Sequence, residues 1–506
     1  MGLHDITIRD IITKNATLRA DEVAFVYGDK RFTFNHYAQE VQRLASGLSF
    51  LGVHKGDRIG VVAFNSYEFF LLYGAAAMLG AIMLPINWRL KTNEIQLILE
   101  DCTPKVIAAD PDYAEMLGGL ADACPFVELR LAMGKRTVGF RTLHEVAGLA
   151  KGFQRVEVTQ DDPFVIILTA AMEGKPRGAV LTHGNLVLAN LQLMTFLEIQ
   201  ADTVYLNLLP LFHIGALGFA LPLMHAGGRN VIMRKFDAKE AVNWIEQERV
   251  SVIATFPPML SMLLDQAEKS GQNISSLRVV SALDDLDNIR RCQRMTGAKV
   301  WSSYGQTETT GFCTICPFDE QPGSAGKEGL LMRVRVVDEY DRDVPVGNHG
   351  EIVVRGPMIF KGYWKLEQET AYTFRQGWHH TGDIGRFDDK GYLWYVKRKA
   401  EKELIKPGGE NVYPTEVEKA LLEHPDIFEA CVFGVPDMQW SEAIKAVCIK
   451  KSGSHLDGQA LIDFVASRIA RFKKPKYVTF VKSLPKNQDG TVDREKVKVE
   501  HKALEV

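Results

Sequence analysis

Cysteine is scarce in this chain: seven residues in 506, an odd number that internal pairing cannot use up. A disulfide scaffold is therefore excluded, and reduced thiols in a cytosolic protein are expected. One C-x-x-C occurs, Cys313 and Cys316, but no second ligand pair stands at zinc spacing. A redox role and two ordinary thiols are the readings left for it. Long apolar runs are as rare. The longest, 69–84, falls short of the ~20 residues that span a bilayer and stops at Pro85. It reads as a buried helix running into a buried strand. The opening MGLHDITIRDIITKNA carries charge throughout, unlike a signal peptide, and Ile6 stands where a myristoylation signal wants Ser or Thr. Charge of one sign is lacking too, with 60 basic against 63 acidic residues and a net charge of −3. No global field draws nucleic acid or an anionic membrane. A soluble, cytoplasmic chain without a transmembrane segment is expected.

What is present, 46% hydrophobic and 24% charged residues, is the balance of a globular protein. At ~100–200 residues per domain, the length predicts about three folding units, or one large unit with an appendage. Short β-branched runs such as RIGVVAF, PFVIILTA and VSVIATF alternate with amphipathic stretches such as 93–99 and Ala238–Glu248. That alternation predicts α/β layers with largely parallel sheet. From about Gly323, alternating strands joined by Gly, Asp and Pro turns predict a small antiparallel barrel or sandwich. The charge run KRKAEKE at 397–403 reads as a hinge, followed by a compact α+β unit. In that unit a helix over 414–423, two strands, a helix over 459–471 and a final strand are expected.

Three segments carry residue types that suit nucleotide chemistry. The Gly-rich turn after PFVIIL, beginning at Thr169, holds Lys175 and Arg177 and suits a polyphosphate, although it is not a Walker A loop. In Tyr304-GQTETTG, an aromatic, a glycine and Glu308 offer a base stack, a close approach and an oxygen ligand for Mg²⁺. In WHHTGDIG, Asp383 sits in a Gly-flanked turn where one rigid group can accept from both ribose hydroxyls. Taken singly, each is equally an ordinary hairpin or turn.

Together and in this order, with RGPMIFKGYW, GGENVYPTEVE and PLFHIGALG, these segments resemble the adenylate-forming (AMP-binding) superfamily, and most of all its acyl- and aryl-CoA ligases. The resemblance spans essentially the whole chain. It implies a large domain over 1–397 and a small rotating domain over 398–506, hinged near 398–401. It implies an acid–thiol ligase using ATP, Mg²⁺ and CoA: a carboxylate attacks the α-phosphate, and CoA then takes the acyl group from the adenylate. Thr169, Lys175, Arg177, Gly305, Gln306 and Thr307 would meet ATP, with Asp383 and Arg398 on the ribose and Tyr304 facing adenine. Glu308 would bind Mg²⁺, with Thr307 at the phosphate. His213, Gly215, Gly218 and the 282–284 loop would line a mostly apolar acyl pocket. Gly408, Gly409, Trp440, Arg471, Lys473 and Lys474 would meet CoA.

The chain also departs from the family. Its phosphate loop reads TAAMEGKPRG, with hydroxyls lost, Ala171 in place of a glycine, and Glu173 adding negative charge. The adenine loop reads ALDDLD where Gly, Ala and Pro are usual. Thr491 stands where the late catalytic lysine is expected, leaving Lys486 and Lys496 as substitutes. Two alternatives to a CoA ligase remain open here: an amide-forming ligase with an amine acceptor, and a nucleotide- or acyl-CoA-binding relative without adenylation.

Overall fold

The structure is a computed structural model that describes residues 2–152, 155–172, 175–399, 404–437, 440–487 and 490–502. Two large mixed sheets, of nine and eight strands, form the body of the α/β region. Central strands such as Arg58–Val62, Val106–Ala109, Val252–Thr255 and Val279–Ala282 pair in parallel. They are almost wholly buried because helices cover both faces. The apolar run resolves as expected into the helix Tyr67–Leu79 and the strand Ile82–Pro85. Ser66 caps the helix by accepting the Phe69 N–H, Gly80 ends it, and every helical residue except Glu68 is buried.

A five-stranded antiparallel sheet follows, built on Arg333–Val337, Gly350–Arg355, Trp378–Phe387 and Leu393–Arg398. The last unit is a three-stranded sheet, Ile427–Asp437, Ser441–Lys450 and Tyr477–Val481, with its own apolar core. Its helices span Pro414–Leu422, Gly458–Arg468 and Arg494–His501. The strand Tyr477–Val481 is thus not the last element, as the sequence pattern had predicted. The terminal helix buries only Val497, which leaves too faint an apolar period to read. A second unexpected helix, Ile8–Leu18, buries Ile8, Ile11 and Ile12 on one face beneath a charged one.

The C-x-x-C reading changes with the fold. Cys313 and Cys316 lie in the strand Gly311–Pro317, and a spacing of three along a strand turns the two thiols to opposite faces. Both are buried, and burial pushes the Cys313 thiol up to about 12. They belong to two different packing layers.

Candidate active site

The residues expected to meet the nucleotide gather where the strand Lys299–Gln306 meets the strand Trp378–Phe387. Tyr304 Oη donates to Asp383 Oδ2 at 2.7 Å, and Gln306 Nε2 donates to the same oxygen at 2.6 Å. Gln306 also reaches the Thr381 carbonyl, at 3.0 Å. Burial, together with the Asp383 charge, drives the Tyr304 hydroxyl well above its ordinary pKa, so it stays a donor. Arg398 Nε stands 3.8 Å from Asp383 Oδ1, an ion-pair distance without a hydrogen bond. Oδ1 is buried and, among the described residues, has no hydrogen-bond partner. A buried carboxylate oxygen left in that condition is costly unless something donates to it.

Gly305 is required for this corner. A Cβ there would lie 2.0 Å from the Gly311 carbonyl oxygen across the hairpin. The short turn Thr307–Thr309 then carries Glu308, whose Oε1 accepts from Tyr363 Oη at 2.8 Å. Tyr363 comes from the two-residue strand Gly362–Tyr363, laid antiparallel against Ala179 and Val180 of the phosphate hairpin. Arg177 is buried, with its guanidinium 4.7 Å from the centre of the Tyr363 ring. Burial opposes the Arg177 charge, but Tyr363, Tyr413 and Glu308 more than offset it and hold its pKa above the usual value. Thr169 Oγ1 donates to the Arg177 carbonyl at 3.2 Å. The helix His183–Leu197 anchors the hairpin from behind: Thr182 and Asn185 cap each other, and Asn185 Nδ2 donates to the Pro357 and Ile359 carbonyls. The side chains of Ala171 and Lys175 lie outside the described residues, as do Glu173 and positions 400 and 401 of the expected hinge.

On the acyl side, His213 precedes the helix Ile214–Ala226, and Ile214, Gly215 and Gly218 are half-buried on one face of it. A Cβ at Gly215 would come 3.6 Å from the Phe256 ring, whereas one at Gly218 would meet nothing within 4 Å. That helix face opens onto unfilled space bounded by Phe256. The 282–284 loop follows the strand Val279–Ala282, with Leu283 exposed and Asp285 capping the helix Leu286–Thr296.

The small domain closes the site with Pro407–Asn411. Glu410 accepts from Arg89 Nη1 at 2.6 Å and Asn87 Nδ2 at 3.0 Å, and its Oε2 lies 3.6 Å from His213 Nε2. Burial works against this carboxylate, but His213, Arg89 and Asn87 together hold its pKa below the usual range. Gly409 sits at φ +84°, where a Cβ would come within 3.5 Å of Phe256, and a Cβ at Gly408 would run into the Trp440 ring at 2.7 Å. A cavity of about 110 Å³ runs between the domains, lined by Thr169, Phe212, His213, Glu410, Asn411 and Phe472.

Comparison with known proteins assigns the family. The model for AMP-binding enzymes matches residues 12–364, and that for the AMP-binding enzyme C-terminal domain matches 416–491. The chain belongs to the AMP-binding enzyme family. Indoleacetate–CoA ligase of Aromatoleum aromaticum is 34% identical over 495 residues, covering 96% of each chain. Feruloyl-CoA synthase of an Amycolatopsis species is 32% identical, covering 95% of this chain and 96% of its own. The solved o-succinylbenzoate CoA synthetase of Bacillus subtilis, bound to a product analogue, superposes with a TM-score of 0.84 at 26% identity over 97% of this chain and 98% of its own. The α/β body with a smaller α+β unit is the family's architecture.

Family motifs thus meet in space at Tyr304, Gln306, Glu308, Arg177, Asp383 and Arg398, with His213, Gly408 and Gly409 at the other end. Lys486 and Lys496 do not join them. Lys486 pairs with Glu429 inside the small domain, and Lys496 sits in its terminal helix. Lys473 is enclosed between Glu94 and Glu416. Trp440 and Arg471 are exposed near the mouth of the junction. Sequence reasoning missed Tyr363, Tyr413, Phe256, Asn87, Arg89 and Glu410. Tyr363, Tyr413 and Glu410 stood inside quoted motifs, so only their direction was hidden; Asn87 and Arg89 carried no local signal.

Proposed function

We propose that the protein is an AMP-forming carboxylic acid–CoA ligase for an aromatic or otherwise largely apolar acid. One observation carries the reading: the Gly408–Gly409–Glu410 loop of the small domain is seated on the acyl side, and an interdomain cavity leads from it to Thr169 and His213. That arrangement suits the second half-reaction, in which a narrow pantetheine arm must reach an acyl carbonyl. The cavity walls and the Phe256 face accept flat or aliphatic carbon, in keeping with the aromatic acids named for the relatives.

In the first half-reaction a substrate carboxylate oxygen attacks the α-phosphorus of ATP, and the bond to the pyrophosphate oxygen breaks. In the second, the CoA sulfur attacks the acyl carbonyl and AMP leaves with the electron pair of the mixed-anhydride C–O bond. Asp383 Oδ1, the buried acceptor without a donor, takes a ribose hydroxyl, while Tyr304 and Gln306 fix the carboxylate. Arg398 adds charge at the same sugar. Arg177 and Thr169 face the phosphates. Glu308 fits Mg²⁺: its other oxygen remains for a cation whose remaining ligands are phosphates and water, and among the described residues no ready-made cluster of three ligands exists. Bound there, the ion would neutralise phosphate charge. Among the described residues no helix is long and apolar enough to cross a membrane.

The test is to supply ATP, Mg²⁺ and CoA with indoleacetate, ferulate and straight-chain acids, and to follow AMP, pyrophosphate and thioester. Thioester and AMP with an aromatic acid support the reading. Pyrophosphate without thioester points to an amine acceptor, and no turnover to a binding relative.

A further inference from the structure

Lys473 belongs by sequence to a basic run, Arg471-Phe-Lys-Lys, that invites a role on the CoA phosphates. The structure places it elsewhere. Its ammonium lies 2.5 Å from Glu94 Oε1 and also contacts Glu416, and the side chains of the three are only 8%, 10% and 19% exposed. Glu94 comes from the large domain, in the first turn of the helix Thr92–Cys102. Its second oxygen accepts from the Lys91 N–H at 2.8 Å and, across the junction, from the Ala470 N–H at 3.1 Å. Glu416 and Lys473 come from the small domain. With a carboxylate from each domain packed on it, the ammonium is already compensated and has no charge to spare for a phosphate.

The cluster lines the same interdomain cavity as Thr169, His213 and Glu410. Glu410, with Arg89 and Asn87, is one brace on that cavity; Glu94, with Lys473, is a second. Both braces cross the domain junction, so both exist only in this orientation of the small domain. A buried ion cluster that loses one member leaves the others uncompensated, which makes such a contact all-or-none.

We propose that Glu94 is a positioning residue for thioester formation: through Lys473 and Glu416 it holds the small domain where the CoA channel is open, and Lys473 is a latch rather than a phosphate ligand. The inference rests on the ligase reading above. It also requires adenylation, which uses the other orientation, to be indifferent to the latch.

The experiment uses the full chain and an acid that the wild type converts. E94Q, K473M and the double variant are compared for acid-dependent ATP–pyrophosphate exchange and for thioester formation with CoA and with 3′-dephospho-CoA. E94Q keeps the local helix cap, so it reports on the latch even where K473M folds poorly. Expected are about tenfold or larger losses of thioester rate in each single variant and no further loss in the double. Exchange should stay within about twofold, and the defect should be the same with both thiols. Equal losses in both half-reactions, additive losses, silent variants, or a K473M defect seen with CoA but not with 3′-dephospho-CoA would overturn the latch. A wild type that makes no thioester from any acid would instead overturn the ligase reading, and the latch with it.

Discussion

On the proposed reading, nucleotide recognition falls largely to one buried carboxylate, Asp383. Tyr304 and Gln306 satisfy Oδ2, and Oδ1 waits for a donor. Asp383→Asn keeps the shape but removes the charge-assisted bond to a sugar hydroxyl, worth about 1.5–3 kcal/mol. The affinity for ATP should fall about 10- to 100-fold by titration calorimetry, with little change in melting temperature. Unchanged affinity would remove Asp383 from the nucleotide site. A second residue-scale expectation concerns Thr491, whose backbone and side chain bond to Asn487 within the small domain. Thr491→Lys should speed adenylation, at best by about 10²–10³, because an ammonium opposes the developing phosphoryl charge and a hydroxyl cannot. A silent variant would mean that this loop supplies no cation in the adenylating state. Tyr304, Gln306, Glu308 and Asp383 were legible in the sequence because each lies within a short motif. Glu94 was not, since its partner Lys473 lies 379 residues away and no local pattern links them. Glu351 is a similar case. It accepts from the Gly382 N–H next to Asp383, from His380 at 3.0 Å and from Lys399 at 2.7 Å. Burial opposes its ionisation, but His380 and Lys399 bring its pKa down to about 2.

Elements carry a different kind of constraint. The hairpin between Lys299–Gln306 and Gly311–Pro317 closes only because Gly305 lacks a Cβ. Gly305→Ala should destabilise the protein by about 1–3 kcal/mol through forced backbone shifts, measured by urea unfolding. It should also weaken ATP binding, because the hairpin carries Tyr304 and Glu308. The helix His183–Leu197 adds a pH dependence. His183 is buried against Phe164, and its Nδ1 accepts the Ile8 N–H at 3.3 Å, so the ring is held neutral; burial takes its pKa down to about 4. Between about 6.5 and 4 the unfolded chain binds a proton that the folded one refuses, so stability falls as pH drops through that window. The loss from this residue approaches about 3 kcal/mol below pH 4. His183→Gln should flatten the pH slope of unfolding, and a slope unchanged by the variant would show that the ring is not the titrating group. At this scale the strands and the helix Ala238–Glu248 were legible from periodicity. The amphipathic Ile8–Leu18 was masked by its charged face, and Arg494–His501 by having one buried apolar residue.

At the scale of the whole molecule, the central feature is the orientation of the small domain. Its glycine loop rests on Phe256 and its Glu410 on Arg89, while the Lys486 loop stays bound to Glu429 on its own sheet. Gly409 sits at a φ of +84° that an L side chain adopts only under strain, and a side chain there would be directed at Phe256. Gly409→Leu should therefore depress thioester formation far more than pyrophosphate exchange; equal losses would indicate that the small domain has unfolded. The sequence showed two domains and a charged joint, but the joint's orientation depends on ion pairs between residues hundreds of positions apart. The most direct test of the account is the stoichiometry of one turnover. With an aromatic acid, ATP, Mg²⁺ and CoA, the account predicts equal amounts of pyrophosphate, AMP and acyl-CoA, with the adenylate accumulating when CoA is withheld. ADP and phosphate as products, or pyrophosphate and AMP formed at the full rate with no thioester, would contradict it.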